Sequence, residues 1–349
     1  MTDTSLDSAP TNSRASAPTL HDVAAAAGVS LATASRVLNG SARKVAESYR
    51  DRVQAAADEL GYTANLSAQA TARGTSAIIA LLVADIADPY FGQLASGVAR
   101  GADEAGLVVT IAITERDVAR ETRLVRALRG QRPRALILAA SRSTESGAPE
   151  LQHEIDALTR MGGRVVALGP GAGDVRSVLI DNEGGARALG TALAQRGYRT
   201  AVIVAAQEGV RTSDDRIAGF TDGFGAGGGS VDRVYRGAFT RDAGEAAMRQ
   251  ALADGIPSGT LVFAISDVVA IGALTAIREA GREVGADIAL AGFDDIPAAR
   301  DVSPALTTVH VPLEVVGYET LRAAVDDAWE YDPAAIRLEV LLRASTPER

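Results

Sequence analysis

Two groups of residues carry the chemistry this sequence can offer. The first follows Ser30, a residue able to cap a helix: the helix expected over 31–38 turns Leu31, Ala32, Ser35 and Arg36 outward and Ala34, Val37 and Leu38 inward. Taken alone, such a helix is an ordinary solvated face. The second group stands where apolar, strand-like runs end: Asp88, Tyr90 and Phe91 after AIIALLV, Arg216 ahead of Gly219 and Phe220, Ser266 and Asp267 after TLVFAI, and Asp294 after ADIALAGF. Carboxylates accept from vicinal hydroxyls, arginine donates a fork, and an aromatic ring covers an apolar sugar face, so the set suits a polyhydroxyl ligand. For each residue taken singly a purely structural role fits about as well, because an Asp at a strand end often just caps the next helix, and Asp295 reads as turn structure.

Other chemistry has little to draw on. There is no cysteine, which removes disulfides, thiolate metal sites and thiol nucleophiles and fits a reducing, cytoplasmic compartment. The three histidines, His21, His153 and His310, are far apart, so metal clusters and nucleophile–base pairs are not expected. The single G-x-G-x-x-G string, from Gly223 through Gly225 to Gly228, follows a helical pattern and precedes a strand, the reverse of the order that dinucleotide binding needs. No cofactor is therefore expected.

At 349 residues and 47% hydrophobic content the chain can build two or three globular cores. Residues 1–18, rich in Ser, Thr, Pro and Ala, read as a disordered tail without a signal-peptide core. No stretch approaches the roughly 18 apolar residues of a membrane span, so no membrane partner is expected. The net charge of −9 opposes a polyanionic partner, but it is uneven: residues 19–74 carry six Lys or Arg against five Asp or Glu, residues 75–349 carry 28 against 37. Nucleic acid can be gripped only by the near-neutral head.

Thr19 and Asp22 form a capping box that starts a helix, with Leu20, Val23, Ala24 and Ala27 at helical spacing. Gly28 permits a sharp turn, Ser30 restarts the chain, and Asn39 with Gly40 stops the second helix. A third helix is expected over 47–60, with Val53, Ala56, Ala57 and Leu60 packing back on the first two. Helix, glycine turn and capped helix within about 20 residues is the geometry that lays a second helix in a DNA major groove. The run from Asn65 to Gly74 is helix-prone but too short to stand alone.

With these motifs, TLHDVAAAAGVSLATASRVLNG and ELGYTANLSAQATARGTSAIIALLV, and with DPYF, DNEGG, DDRIAGF, SDVVAIGAL, GFDD and SPALTTV further on, the sequence resembles the lactose-repressor (LacI) family of bacterial transcriptional regulators. The resemblance implies that Leu31, Ala32 and Arg36 face base edges; a guanidinium can donate two hydrogen bonds to guanine, a contact of about 1–3 kcal/mol in discrimination. It implies that Thr19, Ser30, Thr33, Ser35, Asn39, Tyr62 and Asn65 hold the DNA backbone, that Leu20 belongs to the same DNA-binding set, and that Ala68 and Thr71 belong to a linker helix over 65–75. Thr71 stands where the family presents a leucine wedge to the minor groove, and Ala46 stands where the family prefers a serine cap.

From Ser76 onward strands alternate with amphipathic helices, which means parallel sheets flanked by helices: an α/β fold. The resemblance implies a two-lobed, periplasmic-binding-protein-like body with three crossings, near Asp181, Val309 and Ile336. The organisation expected is a helix-turn-helix domain over 19–64, the linker, and an effector-binding and dimerisation domain over 76–349. Its N-lobe covers about 76–180 and 309–336, its C-lobe about 181–308 and 337–345. The effector belongs in the cleft where strand C-termini face each other. Gly169-Pro170-Gly171 and Ser266 replace polar family residues there, so a sugar is favoured over a nucleoside or another metabolite only by the remaining carboxylates, arginine and rings.

The functional expectation is a dimeric repressor on a near-palindromic operator, because one short helix reads too few bases. The chain end, LLRASTPER, lacks the heptads of a tetramer. The rival readings are an enzyme, a secreted sugar-binding protein and an architectural DNA protein. The failed glycine motif, the attached head and the large pocketed body argue against them in turn.

Overall fold

The computed structural model describes residues 18–38, 45–63, 76–140, 149–171 and 175–349. The chain divides into two compact units, residues 1–73 and 74–349. Residues 1–17, the linker over 65–75, and Asn39, Asn65, Ala68 and Thr71 lie outside the described residues.

The first unit is a three-helix head: α1 (Leu20–Ala26), α2 (Leu31–Leu38) and α3 (Glu47–Leu60). The capping box that starts α1 is reciprocal, with Asp22 N donating to Thr19 Oγ1 at 3.4 Å and Thr19 N donating to Asp22 Oδ2 at 2.7 Å. Gly28, at φ 63°, turns the chain in a left-handed conformation, and Ser30 Oγ caps α2 by accepting from Thr33 N at 3.1 Å. Ala46 gives α3 no side-chain cap, so that helix relies on packing. Val23, Ala24, Ala27, Ala34, Val53, Ala56 and Ala57 form the head's core. Most of these are alanines, which lets three short helices approach closely around very little apolar volume.

The second unit holds two parallel sheets. Strands β1 (Ile78–Val83), β2 (Val108–Ile113), β3 (Ala135–Leu138), β4 (Arg164–Leu168) and β5 (Arg176–Val178) run in the order β2-β1-β3-β4-β5. Strands β6 (Thr200–Ala206), β7 (Ser230–Gly237), β8 (Leu261–Ala264) and β9 (Ala289–Ala291) run β7-β6-β8-β9. The central strands β1, β3, β6 and β8 are buried along nearly their whole length, as expected of apolar runs covered by helices on both faces. Helices α4 (Pro89–Glu104), α5 (Val118–Arg129) and α6 (Pro149–Arg160) serve the first sheet. Helices α7 (Asn182–Gln195), α8 (Arg211–Ala226), α9 (Arg241–Ala253), α10 (Asp267–Glu279) and the short α11 (Ala298–Asp301) serve the second.

The chain then returns through β10 (Thr308–His310) to α12 (Leu313–Val325), which packs on α4 and the first sheet, and comes back as β11 (Glu339–Leu341), antiparallel to β10. Arg164 and Arg176 donate to the carbonyls of Ala323, Ala324 and Asp326, satisfying the open C-terminal end of α12. The last residues are tied to the second sheet: Ser345 Oγ donates to Leu290 O at 2.6 Å and Arg349 N to Arg196 O at 2.8 Å. These ties extend four residues past the C-lobe boundary expected at 345.

Glycine at a helix contact sets how closely α7 and α8 approach. A Cβ on Gly219 would lie 2.0 Å from Glu183 O, and one on Gly223 2.1 Å from Arg187 O. The G-x-G-x-x-G string is thus the end of α8 and the loop to β7, with helix before and strand after. Gly225, in the same string, has nothing within 4 Å. Gly223→Ala is therefore expected to cost about 1–3 kcal/mol in chemical denaturation, whereas Gly225→Ala is expected to be neutral or to stabilise by up to about 1 kcal/mol. Equal losses at both positions would contradict the packing role.

Candidate functional site

On the head, Leu31, Ala32 and Arg36 are exposed along one side of α2 while Ala34 is fully buried on the other. Leu31 keeps 49% of its surface open. Thr33 is tied to Ser30, hydroxyl to hydroxyl at 2.8 Å, and Ser35 is half-buried with its own interactions. Leu20 and Tyr62 pack against the edge of the head's core, so both hold the helices as well as flank the exposed face. Thr19 lowers the Asp22 pKa through its backbone and hydroxyl hydrogen bonds.

In the body, the C-terminal ends of both sheets open on one cavity of about 510 Å3. Its walls come from the segments after β1, β2, β3, β4 and β5 and after β6, β7 and β9, the crevice at which open α/β sheets bind ligands. Asp88, Tyr90, Phe91, Arg216 and Asp294 all line it.

Arg216 is the anchor. Its side chain, 2% exposed, donates to Asp294 Oδ1 at 2.7 Å, Asn182 Oδ1 at 2.8 Å and Ile265 O at 2.6 Å, and its guanidinium lies 3.8 Å from the centroid of Phe293. Burial raises the Asp294 pKa to about 6 even though Arg216 pulls the other way. Asp88 caps α4 by accepting from Tyr90 N at 3.0 Å, and burial raises its pKa too. Burial, with Asp294 nearby, holds the Tyr90 hydroxyl protonated and able to donate. Tyr90 and Phe91 meet edge to face at 5.0 Å.

Ser266 and Asp267, expected in the cleft, do not line the cavity; local structure uses them. Ser266 Oγ caps α10 by accepting from Val269 N at 3.4 Å. Asp267 is fully buried, accepts from Ile296 N and Thr308 Oγ1, and has its pKa raised well above normal by burial and by Asp294. Asp295 is more than turn structure. It sits at φ 55°, accepts from Arg300 and Arg343, and has His310 Nδ1 3.0 Å away. Burial alone would raise its pKa, but these partners outweigh it and hold the carboxylate below its usual range.

The cavity wall also holds residues outside the set expected from the sequence: Arg116 after β2, Asn182 at the start of α7, Phe239 after β7 and Tyr331 between α12 and β11. Phe239 had a signal, an aromatic just past a strand end; Tyr331, whose hydroxyl donates to Leu179 O at 3.2 Å, had none. Among the described residues no three His, Asp or Glu are grouped to hold a metal ion, and no helix is long and apolar enough to cross a membrane.

A capped head presenting one short helix, joined to two parallel-sheet lobes around a polar cavity, defines a helix-turn-helix regulator with a periplasmic-binding-protein-like body. Residues 19–65 match the model of bacterial regulatory proteins of the lacI family, and residues 191–346 match that of the periplasmic binding protein-like domain. The HTH-type transcriptional regulator CelR of Thermobifida fusca is 34% identical over 316 residues, 88% of this chain and 91% of that protein. A solved CelR–cellobiose complex matches with 31% identity and a TM-score of 0.67, covering 94% of this chain and 99% of that one. The lac repressor dimer bound to operator and the anti-inducer ONPF matches with 26% identity and a TM-score of 0.78, covering 95% and 99%. The chain belongs to the LacI family: it is a DNA-binding transcriptional regulator, not an enzyme.

The raised pKa of Asp294 has a consequence for stability. The folded state holds that proton more tightly than the unfolded chain, so the contribution of Asp294 falls as pH rises from about 4 to about 6. The difference in unfolding free energy between the wild type and Asp294→Asn should fall across that window and level off above it. A difference independent of pH would contradict the assignment.

Proposed function

We propose that this protein is a cytoplasmic, dimeric repressor whose hold on a near-palindromic operator is controlled by a sugar or sugar derivative bound between the lobes. The observation that carries the reading is the exposed side of α2, with Leu31, Ala32 and Arg36 held out by a capped, buried-backed helix. Arg36 reads a base pair; Thr19, Ser30, Thr33, Ser35 and Tyr62 set register on phosphates, with Leu20 beside them. Asn39, Asn65, Ala68 and Thr71 complete the contact from outside the described residues.

Dimerisation is supported by the need for two half-sites and by β2, an edge strand whose Val108 and Ile111 are exposed. A sugar effector is supported by the cavity's size, which falls within the roughly 300–1,000 Å3 of ligand sites, by its Arg216–Asp294 pair and aromatic walls, and by the cellobiose bound to CelR. The lobes bias the linker over 65–75, and an inducer or a corepressor acts through the same linkage.

Gel-shift against DNA selected from a random pool tests the reading, with scrambled duplex as control. Arg36→Ala should cost on the order of 1–3 kcal/mol on the selected site and relax preference at one base pair. Retardation of every duplex alike, or unchanged selectivity in the variant, would contradict it.

A further inference from the structure

Among the described residues three buried side-chain nitrogen or oxygen atoms have no hydrogen-bond partner, and Arg116 Nε is the one on the cavity wall. The backbone invests in placing it there. Glu115 and Arg116 are consecutive non-glycine residues in the left-handed region, at φ 54° and 57°, a conformation that costs L-residues energy and persists at functional sites. The strained turn is pinned by Thr114, whose hydroxyl donates to Val83 O at 3.2 Å and accepts from Arg116 N at 3.4 Å. It sends the guanidinium of the first lobe to 4.9 Å from the ring centroid of Phe239 in the second. A buried donor left unmade is costly unless a ligand completes it.

The walls also say what kind of ligand does so. Five acidic residues line the cavity, Asp88, Asp181, Glu183, Asp215 and Asp294, with Glu183 paired to Arg187 at 2.6 Å and Asp181 accepting from Gly184 N at 2.9 Å. Against them stand three guanidiniums, of which Arg216 is committed to Asp294, Asn182 and Ile265, while Arg211 lies 3.7 Å from Asp215. Burial raises the pKa of Asp88, Asp215 and Asp294 and lowers that of Arg116, the sign of a space that penalises charge of either sign. A phosphate or carboxylate on the ligand would have to shed its water there and stand beside these carboxylates. A hydroxyl can donate to a carboxylate and accept from a guanidinium at once.

We infer that the effector is an uncharged sugar, one of whose oxygens accepts from Arg116 Nε while a ring face meets Phe239, and that this cavity excludes sugar phosphates and sugar acids. The inference rests on reading the cleft as a sugar site. Arg116 is then a specificity residue whose function is bought with backbone strain, so its loss separates binding from stability.

Titration calorimetry on the full-length protein tests this with matched pairs: cellobiose against cellobionic acid, and glucose against glucose 6-phosphate and glucuronic acid. The neutral member of a pair should bind at least about tenfold more tightly than its charged partner. Arg116→Gly should weaken the neutral sugar about tenfold or more, the worth of one charge-assisted hydrogen bond. It should leave the thermal midpoint of the ligand-free protein unchanged or higher, because glycine accepts φ 57° without strain. A charged sugar binding as well as its neutral partner would overturn the inference and leave the sugar reading standing. So would a variant that keeps its affinity, or one that loses binding together with its midpoint. Silence from both members of every pair would overturn the sugar reading itself and this inference with it.

Discussion

The buried ion pair between Arg216 and Asp294 is the constraint around which the body is arranged. Taking two charges out of water costs several kcal/mol per ion unless every donor finds a partner. Here three different segments supply them: the start of α7 through Asn182, the end of β8 through Ile265, and the turn after β9 through Asp294 itself. The ring of Phe293 closes one face. The same turn continues into Asp295, which gathers Arg300, Arg343 and His310, the last two on or beside the strands by which the chain leaves and re-enters this lobe. The polar floor of the cavity and the crossings between the lobes therefore meet at one turn, in two charge clusters held by the adjacent residues Asp294 and Asp295.

Charge also divides the labour between the two units. The body carries nearly all of the net negative charge, so a DNA phosphate backbone is repelled by most of the molecule's surface and accepted only at the head. The head has a core too small to be strongly stable by itself. Its precision comes from caps and turns: the Thr19–Asp22 box, Gly28 and Ser30.

How much of this was legible in the sequence follows from the range of the forces involved. Local signals placed well: caps and the glycine turn put α2 and α3 over 31–38 and 47–60, where they are found, and apolar runs marked the central strands. Residues defined by tertiary packing were harder. Ser266 and Asp267 follow a strand end and looked like ligand donors, yet one caps α10 and the other is consumed inside the lobe by Ile296 and Thr308. Arg116 was invisible because nothing in TERD announces two consecutive left-handed residues without glycine. Tyr331 reaches the cavity from a segment roughly 150 residues away from its partner Leu179, a distance over which periodicity carries no information.

The proposed function couples the cleft energetically to the DNA-binding head, and linkage makes that coupling measurable from either side. The measurement is the affinity of a cleft-binding neutral sugar for the protein free in solution and for the protein saturated with its selected duplex, compared with the duplex affinity with and without the sugar. Coupling predicts that the sugar's affinity changes by several-fold on DNA and that DNA affinity changes by the same factor in the presence of the sugar. A sugar that binds equally well on and off the duplex would show the two ends of the molecule to be independent and contradict the account.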